Sequence, residues 1–571
     1  MKKCIVALVL MLVFFSTSVG AYNFPEPDWG KLLNEKKTMV NQTDFELYIE
    51  GAPESSVYYG AKFEPPAGSY IGMVAETANP FLPLSSYLTY IQGMGQNDFY
   101  YPANQMIASD DVIPMVGWTI NDLYSVDYNQ TRAVLEKLNS YGKPMFIRFG
   151  NEMNVSSLGD DPVKYVEVFR KVADMIHEYP NLAVVWAPND LGALDRPFDY
   201  FYPGDQYVDW IGVSCYVIKY FLGNKNTTEK DSIYFMTGDY GWATNRVKPI
   251  VDFMKKNNIN KPLMICEGGV ATGNKHGEAL QSWAEPRLRN MLNYLIMKYP
   301  QIKMVNYFNI KRDERETFDI SSYDYAVNVF NEAKNSGAYL TSYSEKAKFS
   351  YQPANHGDYL YGEDGVVKLR TLAYFPKNPN VSVTYYVDGN WYHVSNSIPY
   401  VCNIDMSSLS DGMHTLTIAS NGLKKNYTFY KYRDYLRFAK TIDTALVDGW
   451  LGAQVPDEIS VVVNGSKVSF DTQPFIENGR TLVPVRAIFE ALGADVSWNG
   501  SERKVTSVRG NITSVLYINS VDMYTNGNRK VIDVPARIVS ERTYVPVRAI
   551  SESFGCSVEW NEAARTVIIN G

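Results

Sequence analysis

The chain has 571 residues, several times the length of a typical domain, and 46% of them are apolar, so it can build more than one buried core. Its formal charge of −8 becomes two units more negative once a leader carrying Lys2 and Lys3 is removed, and no basic cluster stands out. That argues against a nucleic-acid binder, which needs a concentrated basic surface for phosphate contacts.

In chain order, residues 1–21 read as a secretory signal: Lys2 and Lys3, an apolar run from Ile5 to Phe15, then Val19 and Ala21 at the small-residue positions before a cleavage point. An uncleaved anchor is the alternative. The run is short for a bilayer span, and no later segment is long and apolar enough either. The expectation is a bacterial protein that is secreted or associated with the cell surface, with no membrane span after cleavage. Cys4 falls in the leader, and Cys215, Cys266, Cys402 and Cys556 are scattered, so neither a disulfide framework nor a C-x-x-C metal site is encoded.

Residues 22–54 form an N-terminal extension. Across 55–340, strand-like apolar runs at 70–75, 98–101, 112–116, 144–149, 182–186, 209–213, 263–266 and 303–308 alternate with amphipathic helical patterns such as 130–140, 163–177, 245–256 and 286–299. This α/β pattern fits an eight-stranded (β/α) TIM barrel, whose chemistry sits at the C-terminal strand ends. An open doubly wound sheet is the structural alternative, but no glycine-rich dinucleotide loop follows the first strand.

Residues 341–435 change to period two, with turn signals at Asp388-Gly389 and Asp411-Gly412, as in a small β-sandwich. The run Val383-Thr-Tyr-Tyr-Val-Asp-Gly389, with 407–416, resembles bacterial immunoglobulin-like modules, which implies a spacer or protein contact. Trp391 and Tyr392 could line a carbohydrate groove, although a buried or edge-strand role is the preferred reading. A linker at 436–457 leads to 458–571, a small α+β domain with an internal repeat. There, residues 481–498 recur as 543–560, each copy reading as strand, Pro, short helix, Gly cap and strand. This block resembles the stalk-like N-terminal domain of copper amine oxidases, and as a stalk it implies contact with the cell wall or surface layer. Copper is not expected: all five His residues (177, 276, 356, 393 and 414) lie upstream. Arg486 and Arg548, at matched positions, could meet an anionic wall polymer, but a structural ion pair within each repeat is preferred.

Chemistry concentrates in the barrel. The fourth candidate strand ends in Asn151-Glu152-Met153-Asn154 and the seventh in Cys266-Glu267-Gly268-Gly269. Strands four and seven would bring the two carboxylates face to face across the barrel mouth. Such a pair can break a glycosidic bond, one protonating the leaving oxygen and the other attacking the anomeric carbon. Taken singly, each Glu could instead pair with a nearby Arg.

Four segments, in order, carry a family resemblance: 146–154 with Arg148, Asn151 and Glu152; Val184-Val-Trp186-Ala-Pro188-Asn189; Tyr202-Pro-Gly-Asp-Gln-Tyr-Val-Asp-Trp-Ile-Gly-Val-Ser-Cys-Tyr216; and Met264-Ile-Cys-Glu267-Gly-Gly. The chain resembles glycoside hydrolase family 26, within the retaining barrel glycosidases. The resemblance implies Glu152 as general acid/base, Glu267 as nucleophile, Tyr216 as a hydrogen-bond donor to the nucleophile, and Arg148 as positive charge beneath it. Asn151 replaces the family's usual His and implies contact with a sugar 2-hydroxyl. The expected activity is a secreted retaining β-glycanase acting on a β-linked polysaccharide, with no cofactor. Which glycan it cuts stays open, and a non-catalytic polysaccharide-binding scaffold is the rival reading. Trp118, Trp186, Trp283 and Tyr307 or Phe308 are candidate sugar-stacking side chains, whereas Trp210 fits the core. Asn41, Asn129, Asn154, Asn226, Asn380 and Asn426 head Asn-x-Ser/Thr sequons.

Overall fold

A computed structural model describes residues 22–53, 56–75, 81–92, 111–190, 195–219, 242–274, 276–311, 317–354, 359–361, 365–376, 378–432, 435–438, 459–470, 472, 474–477, 480–539, 542–561 and 566–571. The proposed leader and most of the linker therefore lie outside the described residues. The chain divides into two compact units, one holding the barrel with 366–405 and 415–426, the other 355–365, 406–414 and 427–571.

Eight parallel strands close into a barrel: β1 (Ser69–Ala75), β2 (Ser86–Gln92), β3 (Ile113–Thr119), β4 (Met145–Phe149), β5 (Leu182–Trp186), β6 (Trp210–Val217), β7 (Leu263–Val270) and β8 (Ile302–Asn309). Pairing of β1 with β8, from Tyr70 opposite Met304 to Ala75 opposite Asn309, completes the circle. Seven of the eight strands sit where the sequence places them. The exception is the second: 98–101 lies outside the described residues, and Ser86–Gln92 occupies that place, paired with both β1 and β3.

Alternation along each strand sorts side chains between two cores. Tyr70, Val74, Leu88, Ile113, Met115, Phe146, Val185, Trp210, Met264 and Met304 fill the barrel interior. Their neighbours, such as Ile71, Val116, Ile147, Val184 and Val305, face the surrounding helices. The helix Pro162–His177 shows how those helices are specified. Asp161 caps it through the Lys164 N–H, and Pro162 opens it where no amide hydrogen is needed. Its buried Tyr165, Val168, Phe169, Val172 and Ile176 then recur at helical spacing.

The extension at 22–54 is more than a lead-in. Its strand Asp44–Gly51 runs antiparallel between Ser350–Pro353 and Val366–Tyr374, so a segment preceding the barrel lies inside a sheet that follows it. Arg370 pairs with Glu50, and Lys298 of the barrel unit with Asp44. The Tyr374 ring packs on Trp242 at 4.9 Å, which seats this sheet on the barrel's helical layer. Val383–Val387 pairs antiparallel with Asn390–Ser395 and with Gly412–Ser420, and Trp391 is 64% exposed.

In the second unit the repeat is visible as structure. Arg480–Pro484, Val485–Ala491 and Asp495–Asn499 recur as Arg542–Pro546, Val547–Ser553 and Ser557–Asn561. The two strands that open the copies pair antiparallel about Val483 and Val545. Tyr435–Phe438 is a strand, paired with Tyr359–Tyr361, so the expected linker begins later than residue 436. Arg486 and Arg548 are exposed and make no ion pair with any described residue, so the preferred intra-repeat pairing is not what holds them.

Leu47 is buried in the middle of the inserted strand. Leu47→Ala should cost about 2–5 kcal/mol in urea unfolding followed by tryptophan fluorescence, whereas Lys31→Ala, on the exposed helix Trp29–Asn41, should change the midpoint little.

Candidate active site

At the C-terminal end of the barrel one buried cation meets two carboxylates. Arg148 faces inward from β4, completely buried. Its Nη1 donates to Glu267 Oε2 at 2.7 Å, and its Nη2 donates to Ser214 Oγ at 2.6 Å and lies 3.8 Å from Glu152 Oε1. Burial disfavours its charge, but Glu267 and Glu152 more than offset that, so the guanidinium is held firmly protonated.

Glu267 reaches this cation through an irregularity. Interior residues on β7 include Met264 and Cys266, so simple alternation would turn residue 267 outward. The β6–β7 register slips between Val213 and Ser214: Val213 faces Ile265, and Ser214 faces Glu267. This β-bulge adds one residue to β7 and brings Cys266 and Glu267 to the inner side together. The Glu267 carboxylate is buried and takes three donors: Arg148, the Tyr216 hydroxyl on Oε1, and the Tyr90 hydroxyl on Oε2 at 2.5 Å. Burial and the Glu267 charge push both phenols well above their ordinary pKa, so both remain donors.

Glu152 sits just past the end of β4, with its side chain 18% exposed. Its backbone is left-handed, φ 55° and ψ 32°, and its N–H donates to Ala187 O at 2.9 Å. That unfavourable conformation for a residue with a Cβ turns the carboxylate back over the barrel mouth. Asn189 Nδ2 donates to Glu152 Oε1 at 3.2 Å, and Asn189 is itself clamped by Asn154: Nδ2 to Asn189 O at 2.8 Å and Asn189 N–H to Asn154 Oδ1 at 2.8 Å. Burial, then the Glu267 charge, raise the Glu152 pKa above the usual carboxylate range against the opposing pull of Arg148, Ser214 and Asn189. Asn151 Oδ1 is buried next to this group and accepts no hydrogen bond from any described residue.

The structure thus brings together Arg148, Glu152, Tyr216 and Glu267, with Asn151 adjacent. It separates three of the stacking candidates from the mouth. Trp118, Trp186 and Tyr307 share the parity of outward-facing residues and are fully buried among the helices. Trp118 packs edge-on against Phe149, Trp186 Nε1 donates to Phe201 O at 3.0 Å, and the Tyr307 hydroxyl donates to Val270 O at 3.1 Å. None of the three can offer a ring face to a sugar. Phe308 is inward but buried against Tyr216. Trp283 stays half-buried, with the Arg287 guanidinium 4.3 Å from its ring centre. Trp210 is core, as its parity suggests, and Asn154 is too buried to carry a glycan.

Sequence reasoning missed Tyr90 and Ser214. Tyr90 was lost with the misplaced second strand, although Leu88-Thr-Tyr90 carries the alternation that turns it inward. Ser214 lies within the quoted motif at the same parity as Tyr216.

Residues 122–271 match the family described as Glycosyl hydrolase family 26, a segment holding both Glu residues, Arg148, Ser214 and Tyr216. Residues 462–569 match the Copper amine oxidase N-terminal domain. That block contains no His and one buried Cys, a donor set that does not fit copper. Similar solved structures include an endo-beta-1,4-mannanase double mutant of Cellulomonas fimi, 12% identical over 66% of this chain and 99% of that one, TM-score 0.35. A GH26 beta-mannanase from Bacteroides ovatus is 13% identical over 51% and 94%, TM-score 0.32. Among curated proteins, a protease inhibitor of Brevibacillus choshinensis is 30% identical over 114 residues, 19% of this chain. The chain spans about a third of that relative's length, 34%.

Replacing Arg148 by Met would leave the buried Glu267 carboxylate, among described residues, with the hydroxyls of Tyr90 and Tyr216 as its donors. Arg148→Met should therefore cost about 3–5 kcal/mol in equilibrium unfolding, far more than an exposed arginine such as Arg132→Met.

Proposed function

We propose that the glycosyl hydrolase family 26 domain this chain carries is a working retaining β-glycanase, with Glu267 as nucleophile and Glu152 as general acid/base. The supporting observation is the unequal sharing of one guanidinium by two carboxylates. Glu267 is buried and accepts from three donors, one of them the Arg148 guanidinium, which hold the carboxylate in place for attack. Glu152 is further from the cation, reaches solvent, and has a raised pKa, an environment that keeps a proton available.

The chemistry follows from that division. Glu152 gives its proton to the glycosidic oxygen as that bond breaks, while Glu267 bonds to the anomeric carbon. Glu152, now a base, then takes a proton from water as the water oxygen displaces Glu267. The buried Asn151 Oδ1, which accepts no hydrogen bond from a described residue, supports a role for Asn151 in accepting from a sugar hydroxyl, and the half-buried Trp283 is the stacking candidate kept in this reading. The substrate class is a β-linked polysaccharide outside the cell or at its surface, with the C-terminal repeat domain as the stalk that holds the barrel near the wall.

The test is hydrolysis of mannan, mixed-linkage glucan, xylan and wall polysaccharides by residues 22–571. Glu152→Gln should lower turnover by about a hundred- to ten-thousandfold, and Glu267→Gln should abolish it. The first sugar released should keep the β configuration when followed by proton NMR. Activity surviving both substitutions, or glycan binding without cleavage across the panel, would refute the enzyme reading in favour of a scaffold.

The pH profile supplies a second check. Because the acid form of Glu152 works in the first step and its pKa is raised, the alkaline limb of kcat/KM should lie above the range of a free glutamate. A dinitrophenyl leaving group needs no proton, so with such a glycoside that limb should disappear.

A further inference from the structure

We infer that Tyr90 is a positioning residue of this reaction, holding Glu267 Oε2 so that Oε1 is the atom that bonds to the sugar; the inference rests on the glycosidase reading above. Tyr90 lies outside the segment matched by the family, 122–271, so nothing in that match bears on it.

The two oxygens of Glu267 are held differently. Oε2 accepts from Tyr90 at 2.5 Å and from Arg148 at 2.7 Å, whereas among described residues Oε1 accepts only from the Tyr216 hydroxyl. Arg148 is divided between Glu267, Ser214 and the neighbourhood of Glu152, but the Tyr90 hydroxyl serves Glu267. The barrel is built to admit this contact. On the adjacent strand, residue 117 is glycine, and a Cβ there would lie 2.8 Å from Tyr90 Cδ1 and 3.0 Å from Cε1. The missing side chain is the space in which the ring crosses β3 to reach a partner 177 positions away.

The consequence is a bias between the two chemical steps. In the first, the bond from the anomeric carbon to the leaving oxygen breaks, that oxygen takes the Glu152 proton, and a bond to Glu267 Oε1 forms. Oε2 becomes the carbonyl oxygen of an ester and loses charge. In the second, water gives a proton to Glu152, its oxygen bonds to the anomeric carbon, and the electron pair of the ester bond returns to the Glu267 carboxylate. Charge on Oε2 grows in this step, so a donor fixed on Oε2 speeds ester breakdown and does not assist ester formation.

The experiment uses the full chain after the leader, as wild type, Tyr90→Phe and Gly117→Ala, with dinitrophenyl β-glycosides of mannobiose, cellobiose and xylobiose. Tyr90→Phe should lower kcat about ten- to hundredfold and KM in parallel, leaving kcat/KM within about threefold. It should also show a burst of dinitrophenol and a glycosyl-enzyme adduct by mass spectrometry. Gly117→Ala, which keeps the hydroxyl but displaces the ring, should show the same split. A fall in kcat/KM at constant KM, or an unchanged kcat, would reduce Tyr90 to packing and overturn the inference while leaving the glycosidase reading intact. So would wild-type kinetics in Gly117→Ala. A wild-type chain inert on these glycosides and on the glycan panel would instead overturn the glycosidase reading, and the inference with it.

Discussion

A guanidinium with no exposed surface must be matched by anions, because an unpaired buried charge costs far more than the surrounding packing returns. Arg148 imposes that condition on the barrel mouth. Its two terminal nitrogens point to different strands, one to Glu267 on β7 and one to Ser214 on β6, with Glu152 beyond. Once the cation is placed by inward parity on β4, the acceptors around it are limited to groups that the facing strands can present. Charge neutralisation accounts for Glu267 beside Arg148, whereas Glu152 is brought to the same mouth by the topology of β4 and the turn that follows it.

The same cation makes those carboxylates unequal. One oxygen at 2.7 Å takes a charge-assisted hydrogen bond, and the other at 3.8 Å takes a longer-range attraction that burial and like-charge repulsion outweigh. The difference is set by backbone. Glu267 is still within its strand, carried inward by a bulge, and Glu152 is three residues past the end of its strand, in a left-handed turn open to solvent. Two identical residue types thereby acquire different surroundings, one held within its strand by three donors and the other partly open to solvent with a raised pKa.

How much of this was legible in the sequence depends on whether the information is periodic. Strand alternation alone places Arg148, Ser214 and Tyr216 inside, and Trp118, Trp186 and Tyr307 outside. Applied position by position, it would have removed those three from the sugar-stacking candidates, because a strand-end aromatic reads as a platform only if its parity is ignored. Alternation would have recovered Tyr90 too, had the second strand been placed at Ser86–Gln92 rather than on the aromatic run beyond it. The β7 bulge is different in kind. A single inserted residue leaves no periodic trace, and counting from Met264 would have turned Glu267 the wrong way, so only its chemistry marked it. The C-terminal repeat was readable because the sequence copies itself. The copies diverge in surroundings: Trp498 is 47% exposed on an edge strand, and its counterpart Trp560 packs against the domain core.

The strand Asp44–Gly51 shows what no local pattern can carry. Its alternation reads equally well for any half-buried strand, and its partners lie about three hundred positions away, beyond the whole barrel. Closing so long a loop is entropically costly, but each doubling of length adds only about 0.6 kcal/mol. Pairing of β1 with β8 brings the two ends of the barrel together, so the barrel's own closure shortens the loop that this strand must span. The inserted strand then ties the ends together through two antiparallel ladders and the ion pairs Arg370–Glu50 and Lys298–Asp44. The barrel that positions Arg148 and the sheet that follows it thereby belong to one compact unit, joined by a segment that precedes the barrel in sequence.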